Sequence, residues 1–360
     1  MPEIWLNYGK TDIVLDIRAE NLDQQLDSQG KALNDSEFKE KLDSLDISKQ
    51  IELVVLNSSE SIQKTISAIF EKCEQKSAPI PRILADKTIL NYVKSYLPEG
   101  SSISEFGNEE LSNSNLVFIG EMEFDGLFGF ETISTRLIKK FGNENMLSAY
   151  EQRKADTPAP GEVVDNIQIA KKFTDSFEII GIEIAANQNG IVDLSIGHPS
   201  STMSISKSFV ESATKQVEKH RTMMISTGKD TSNNNLSKSL ASLWNCSSAI
   251  KENGLAVLLS ECKNGIGSEA IQQFIEGRMS LDRLKKPSKY VNGMEDLLFL
   301  TEIQKRFQIG LVSVLPEYYL KKLDIISFEG IKRAMDHILK IQGIKQKVAV
   351  VSDGARILLR

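Results

Sequence analysis

NGLAVLLSECKNGIGSEAIQQF, residues 253–274, decides the fold. Its first half is a short apolar run, the mark of a strand buried on both faces. Its second half has helical character, with Ser268 as N-cap and Glu269 in the first turn. Between them Gly265 and Gly267 let the chain turn sharply. Strand, glycine turn and helix make one unit of a parallel α/β sheet. The loop itself has two readings. Its amides and the helix start form a perch for a carboxylate or phosphate, or they form a plain glycine turn closed by an N-cap. The GK[ST] of a phosphate-binding loop and the GxGxxG pattern are both missing.

The same rhythm recurs outward from this stretch. MMIST, IGLVSVL and KVAVVSD are three further strand candidates in the second half, separated by helical segments around 233–251, 268–284, 292–306 and 327–341. In the first half, IELVVLN (51–57) precedes a segment with Ile62, Ile66, Ile69 and Phe70 at helical spacing. RILA (82–85), a helix near 91–97 and SNLVFIG (114–120) continue it. The start alternates Ile4, Leu6, Tyr8 and, after Gly9-Lys10, Ile13, Leu15, Ile17, which predicts a hairpin. A second hairpin is predicted over 177–197, turning at Asn189-Gly190. An acid-rich connector is expected at 20–49 and a loop at 154–166. Residues 203–219 read as an amphipathic helix. The expected organisation is an α/β domain over 1–202, a linking helix over 203–220 and a second α/β domain over 221–360. Both are doubly wound, with mainly parallel sheets and a cleft between the lobes.

Composition narrows the function classes. The 360 residues suffice for two domains, and 41% hydrophobic with 26% charged is ordinary for a globular chain. A net charge of −6 argues against a general nucleic-acid surface. No apolar run approaches the ~20 residues a bilayer span needs. MPEIWLNYG has neither the basic nor the apolar region of a signal peptide. Cys73, Cys246 and Cys262 are widely spaced and suggest no disulfide framework, so a cytoplasmic location is expected. Only three histidines occur, His198, His220 and His337, with no metal-ligand spacing.

Several stretches taken together resemble the nickel-dependent lactate racemase family. They are MPEIWLNYGKTDIVLDIRAENL, SNLVFIGEMEFDGLFGFE, TMMISTGKDTSNNNLSKSLASLWNCSSAIKENG, the opening strand–turn–helix, and KVAVVSDGARILL. Their shared order covers nearly the whole chain. The resemblance implies two α/β lobes with the active site between them, where a 2-hydroxy acid is racemised. It also implies a nickel-pincer nucleotide, attached to a lysine, that accepts and returns hydride, with histidines as ligand and proton shuttles.

Aligned on that family, this sequence departs at the positions that carry the chemistry. Ser59 and Ser61 stand in the aspartate and threonine places of the loop after 51–57, and Ile62 near its arginine. The next loop, with its histidine–arginine pair, is deleted. Asp125 takes the place of a nickel-ligand histidine and Thr135 falls near the cofactor lysine, with Arg136 beside it. Lys238 lies close to a later lysine's place. The resemblance therefore implies a racemase-like protein whose cofactor-attachment residues are missing and that holds no metal. It is expected to bind a small anion, a carboxylate or nucleotide phosphate, between its lobes. Ser59, Ser61, Thr227, Gly228, Lys229, Gly265, Gly267 and Ser268 are the candidate ligand-binding residues. The alternative is an active racemase or epimerase of 2-hydroxy acids or sugar acids, with Asp125, Glu131 and Arg136 as the catalytic set. Glu121, Glu123, Asp125 and Glu131 crowd one loop. They read as an acid/base pair, an oxygen-ligand cation site or a solvated rim.

Overall fold

The computed structural model describes residues 3–28, 30–107, 115–153, 160–230 and 234–360. Two six-stranded sheets organise the chain. The first has the spatial order Gly190–Gly197, Ile180–Asn187, Leu116–Glu121, Glu52–Val55, Arg82–Ala85, Ile103–Glu105. Its neighbours run parallel, apart from the hairpin made by the first two. The second has the order Ile326–Phe328, Gln308–Val312, Ile250–Leu259, His220–Ser226, Val348–Val351, Leu22–Leu26, parallel throughout. The N-terminal hairpin pairs Glu3–Tyr8 with Thr11–Asp16. This is the two-lobed α/β architecture that the apolar runs imply.

Those runs become central strands because both of their faces are covered. Leu53 and Val55 pack with Ile62, Ile66 and Ile69 of the helix Glu60–Gln75. Val54, between them, points the other way and meets Ile133 and Leu137 of the helix Ile133–Phe141. Each such apolar side chain contributes roughly 1.5–3 kcal/mol on burial. Arg356, just past Val348–Val351, pairs with Glu121 at the end of its strand and with Asp230, past His220–Ser226. The carboxyl ends of the two sheets therefore face each other, which is where ligands of parallel sheets bind. Among the described residues no helix is long and apolar enough to cross a membrane.

Three expectations need adjusting. The connector at 20–49 holds an edge strand, Leu22–Leu26, and a helix, Asp35–Leu42. LDQQL is polar because an edge strand needs little burial, whereas Asn34 and Glu37 form a capping box that the sequence did carry. The 177–197 hairpin turns at Gln188-Asn189, one residue early, because the Asn187 side chain accepts from the Asn189 amide and Asn187 pairs with Gly190. The helix expected over 203–219 ends at Ala213, where Thr214–Lys215 pairs with Leu358–Leu359. The loop expected over 154–166 falls partly outside the described residues.

Glu183, fully buried on Ile180–Asn187, accepts from the Ile133 amide at 3.1 and 3.3 Å through its two oxygens and so caps the helix Ile133–Phe141. Burial outweighs that bond and the nearby Arg136, and raises its pKa from 4.5 to about 8. A carboxyl with a raised folded-state pKa adds stability in full below its unfolded pKa of 4.5 and loses it as pH rises through about 8. The melting temperature should therefore fall between pH 6 and pH 9, and Glu183→Gln should flatten that slope. An unchanged slope in the variant would refute the assignment.

Candidate functional site

The site is built on a hairpin of two three-residue strands, Glu123–Asp125 and Gly129–Glu131. The Asp125 carboxylate shapes its turn by accepting from the amides of Leu127 at 2.8 Å and Phe128 at 2.6 Å. Two glycines make the packing possible. Gly129 has φ +79°, and a Cβ there would lie 1.8 Å from the Glu162 carbonyl oxygen. A Cβ on Gly126 would lie 2.0 Å from the Trp244 ring of the other lobe. The pairing sets Glu123 opposite Glu131. Thr132 then caps the helix Ile133–Phe141, with Thr135 completing a capping box. Arg136 and Lys139, three residues apart, rise from one face of that helix.

Both carboxylates are bridged by cations. Arg136 reaches Glu123 at 3.2 Å and Glu131 at 3.3 Å. Lys139 reaches Asp125 at 2.6 Å and Glu131 at 3.3 Å. Lys238, on Leu236–Cys246 of the second lobe, reaches Glu123 at 2.6 Å and Glu131 at 2.7 Å. Lys139 in turn approaches Glu295 of the second lobe at 3.9 Å. Asp125, Glu131, Arg136, Lys139, Lys238 and Glu295 wall a cavity of about 410 Å³ between the lobes, together with Asn235, Ser237, Gly267, Trp244 and Asp296.

The charges hold one another in place. Against the desolvation that would raise it, Arg136, Lys139 and Lys238 hold Glu131 well below the usual carboxylate range. Glu123 is lowered in the same way, against desolvation, by Lys238 and Arg136. Lys139 is driven well above the usual lysine range, since Asp125, Glu131 and Glu295 overcome its desolvation. Lys238 is also raised, against desolvation, by Glu123 and Glu131. Both ammonium groups stay protonated and are poor nucleophiles. Glu131, one of the candidate catalytic set, is thus kept ionised by three cations. The acids whose pKa is raised stand on the opposite wall. Burial raises Glu295, whose oxygens accept from the Tyr290 hydroxyl at 3.0 and 2.9 Å. Burial and the neighbouring Glu295 raise Asp296 to about 7, with Ser237 donating to it.

A second cluster ties the lobes together deeper in the cleft. The buried Arg356 lies 2.8 Å from both Glu121 and Asp230. Ser59 donates to the other oxygen of Glu121. Burial, opposed by Arg356, raises Asp230 to about 7.

Sequence reasoning named Asp125, Glu131 and Arg136, and these three do converge on the cavity. The candidate ligand-binding residues do not gather in one place. Ser59 caps Glu60–Gln75 and, with Lys229, faces a separate cavity of about 360 Å³ that Lys10 and Tyr92 also line. Lys229 is paired with Glu60 at 2.7 Å. Ser61 is buried in the first turn, where its carbonyl accepts from Thr65. Thr227 is buried against the Leu259 carbonyl. Gly228, at φ +78°, makes room for the Asp353 carboxylate. The Gly265–Ser268 loop packs between two helices of its own lobe. The carbonyls of Gly265 and Ile266 accept from Leu236 and Ser237, so the loop docks on the start of Leu236–Cys246. Ser268 accepts from Ile271 as N-cap. Gly267 alone of these four lines the main cavity, where a Cβ would lie 2.3 Å from Asn235.

Lys139, Asp296 and Glu295 went unnamed. Helical spacing from Arg136 was the available signal for Lys139. The two acids looked like ordinary first-turn residues of Met294–Ile303. The histidines lie elsewhere. His198 caps Pro199–Thr202, His220 pairs with Asp23 at 2.8 Å, and His337 sits edge-on to Phe328. Among the described residues no group of three His, Cys, Asp or Glu is placed to hold a metal ion. A nickel-pincer nucleotide would need an imidazole ligand and a free amine, and the cavity offers carboxylate-locked ammonium groups instead. The residues do not fit that group.

Solved structures share the fold. The lactate racemase apoprotein from Thermoanaerobacterium thermosaccharolyticum superposes with a TM-score of 0.68 at 17% identity, covering 100% of each chain. A Thermotoga maritima protein superposes with a TM-score of 0.67 at 10% identity, covering 93% of this chain and 100% of the other. No family model and no curated protein matches the sequence.

Removing one partner from a buried ion cluster strands the others. Arg356→Met should therefore lower the unfolding free energy by roughly 3–5 kcal/mol in urea titrations. A loss below about 1 kcal/mol would show that Arg356 does not hold the lobes together.

Proposed function

We propose that this chain is a lactate racemase-like protein that binds a small carboxylate-bearing molecule between its lobes and does not carry out nickel-pincer racemisation. One observation carries the reading. Three cations from two lobes converge on a cavity of ligand size that no imidazole lines. Charge-assisted hydrogen bonds from Arg136, Lys139 and Lys238 would orient the carboxylate. Ser237 and Asn235 on the facing wall suit the hydroxyl groups of a hydroxy acid or sugar acid. The likeness to the lactate racemase apoprotein supports the scaffold, and the chemistry is argued from this chain's own residues.

Asp296 favours a second reading. A cavity acid with a pKa of about 7 is suited to proton transfer near neutrality. The chain would then be an isomerase of hydroxy acids, with Asp296 rather than Asp125 or Glu131 exchanging the proton.

A panel of lactate, glycerate, gluconate, inorganic phosphate and AMP separates these readings. A carboxylate should raise the melting temperature, by the equivalent of about 2.7 kcal/mol at one hundred times its Kd. Silence across the panel would remove the binding reading. Elemental analysis and intact mass should find neither stoichiometric nickel nor an attached nucleotide. Racemisation of any panel acid that disappears in Asp296→Asn would establish the second reading.

A further inference from the structure

The inference rests on the cleft being a carboxylate site, as proposed above, and concerns what stands in that site now. The point where Arg136, Lys139 and Lys238 meet is already filled by protein. Glu131 lies 3.3 Å from Arg136, 3.3 Å from Lys139 and 2.7 Å from Lys238, and it faces the cavity. The neighbouring acids are engaged differently. Glu123 also accepts from the Asn57 side chain at 3.0 Å, and Asp125 is committed to its turn amides. The charge balance is even: three cations, Arg136, Lys139 and Lys238, face three carboxylates, Glu123, Asp125 and Glu131, at 3.3 Å or less. No positive charge is left over for an incoming anion.

We infer that Glu131 is a built-in occupant of the anion site, its side-chain carboxylate holding the place that a small carboxylate ligand takes. The chain thus sets its own affinity by competition. A tethered carboxylate acts at high effective concentration, so a free one must be abundant or make further contacts to displace it. Without Glu131 the cluster carries one net positive charge, which matches a monocarboxylate.

The test is calorimetric titration of sodium acetate and sodium lactate into wild type and Glu131→Ala at constant ionic strength. Truncation should free both charge and volume and tighten Kd at least ~10-fold. Adding Lys238→Met to that variant should abolish the gain. A variant that folds only in acetate would equally support the inference. If Glu131→Ala does not fold under either condition, the isosteric Glu131→Gln decides, with a gain of at least ~3-fold expected from charge alone. Unchanged or weaker binding in the decisive variant would overturn the inference. Binding by the variants but not by wild type would keep the inference and refute the function proposed for wild type. Binding by wild type without a gain in the variants would do the reverse.

Discussion

Two carboxylates placed directly opposite each other on a short hairpin repel, and everything at the cleft follows from how this chain answers that repulsion. Glu123 and Glu131 are such a pair. Two of their countercharges come from the adjoining helix, and the third, Lys238, comes from the other lobe. The hairpin is thus satisfied fully only when the lobes are together. Trp244, packed where Gly126 leaves no side chain, adds an apolar contact across the same boundary. A buried charge cluster of this kind gives little net stability, because desolvation consumes most of the Coulomb energy, but it fixes one arrangement in preference to others.

Much of the scaffold was legible in the sequence, and the reason is burial. Residues 254–259 of Ile250–Leu259, and Leu116–Glu121, are covered on both faces, so their apolar runs announce them. Leu22–Leu26 and Ile326–Phe328 lie at sheet edges and carry no such signal. The site was legible in part. Asp125, Glu131 and Arg136 stand close in sequence and were found together. Lys238 and Asp296 reach the cavity through tertiary packing that no local pattern encodes. The docking of the Gly265–Ser268 loop, whose carbonyls accept from the start of Leu236–Cys246, is likewise a tertiary contact that its composition does not announce.

The fold and the chemistry carry separate information here. The likeness at 17% identity shows the fold, in which the carboxyl ends of the two sheets face each other. It does not say what the ligand is. That is argued from the charges: Glu123 and Glu131 held low beside protonated lysines, and Glu295 and Asp296 raised by burial across the cavity.

The order of strands in the second sheet reaches beyond the cleft. Among the described strands, Leu22–Leu26 is hydrogen-bonded into that sheet through Val348–Val351. On the ribosome, Leu22–Leu26 therefore waits for Val348–Val351. The first lobe's strands, all between residues 52 and 197, are complete long before. Residues 22–26 and 348–351 meet at one edge, so the second lobe is finished by a contact of very high sequence separation.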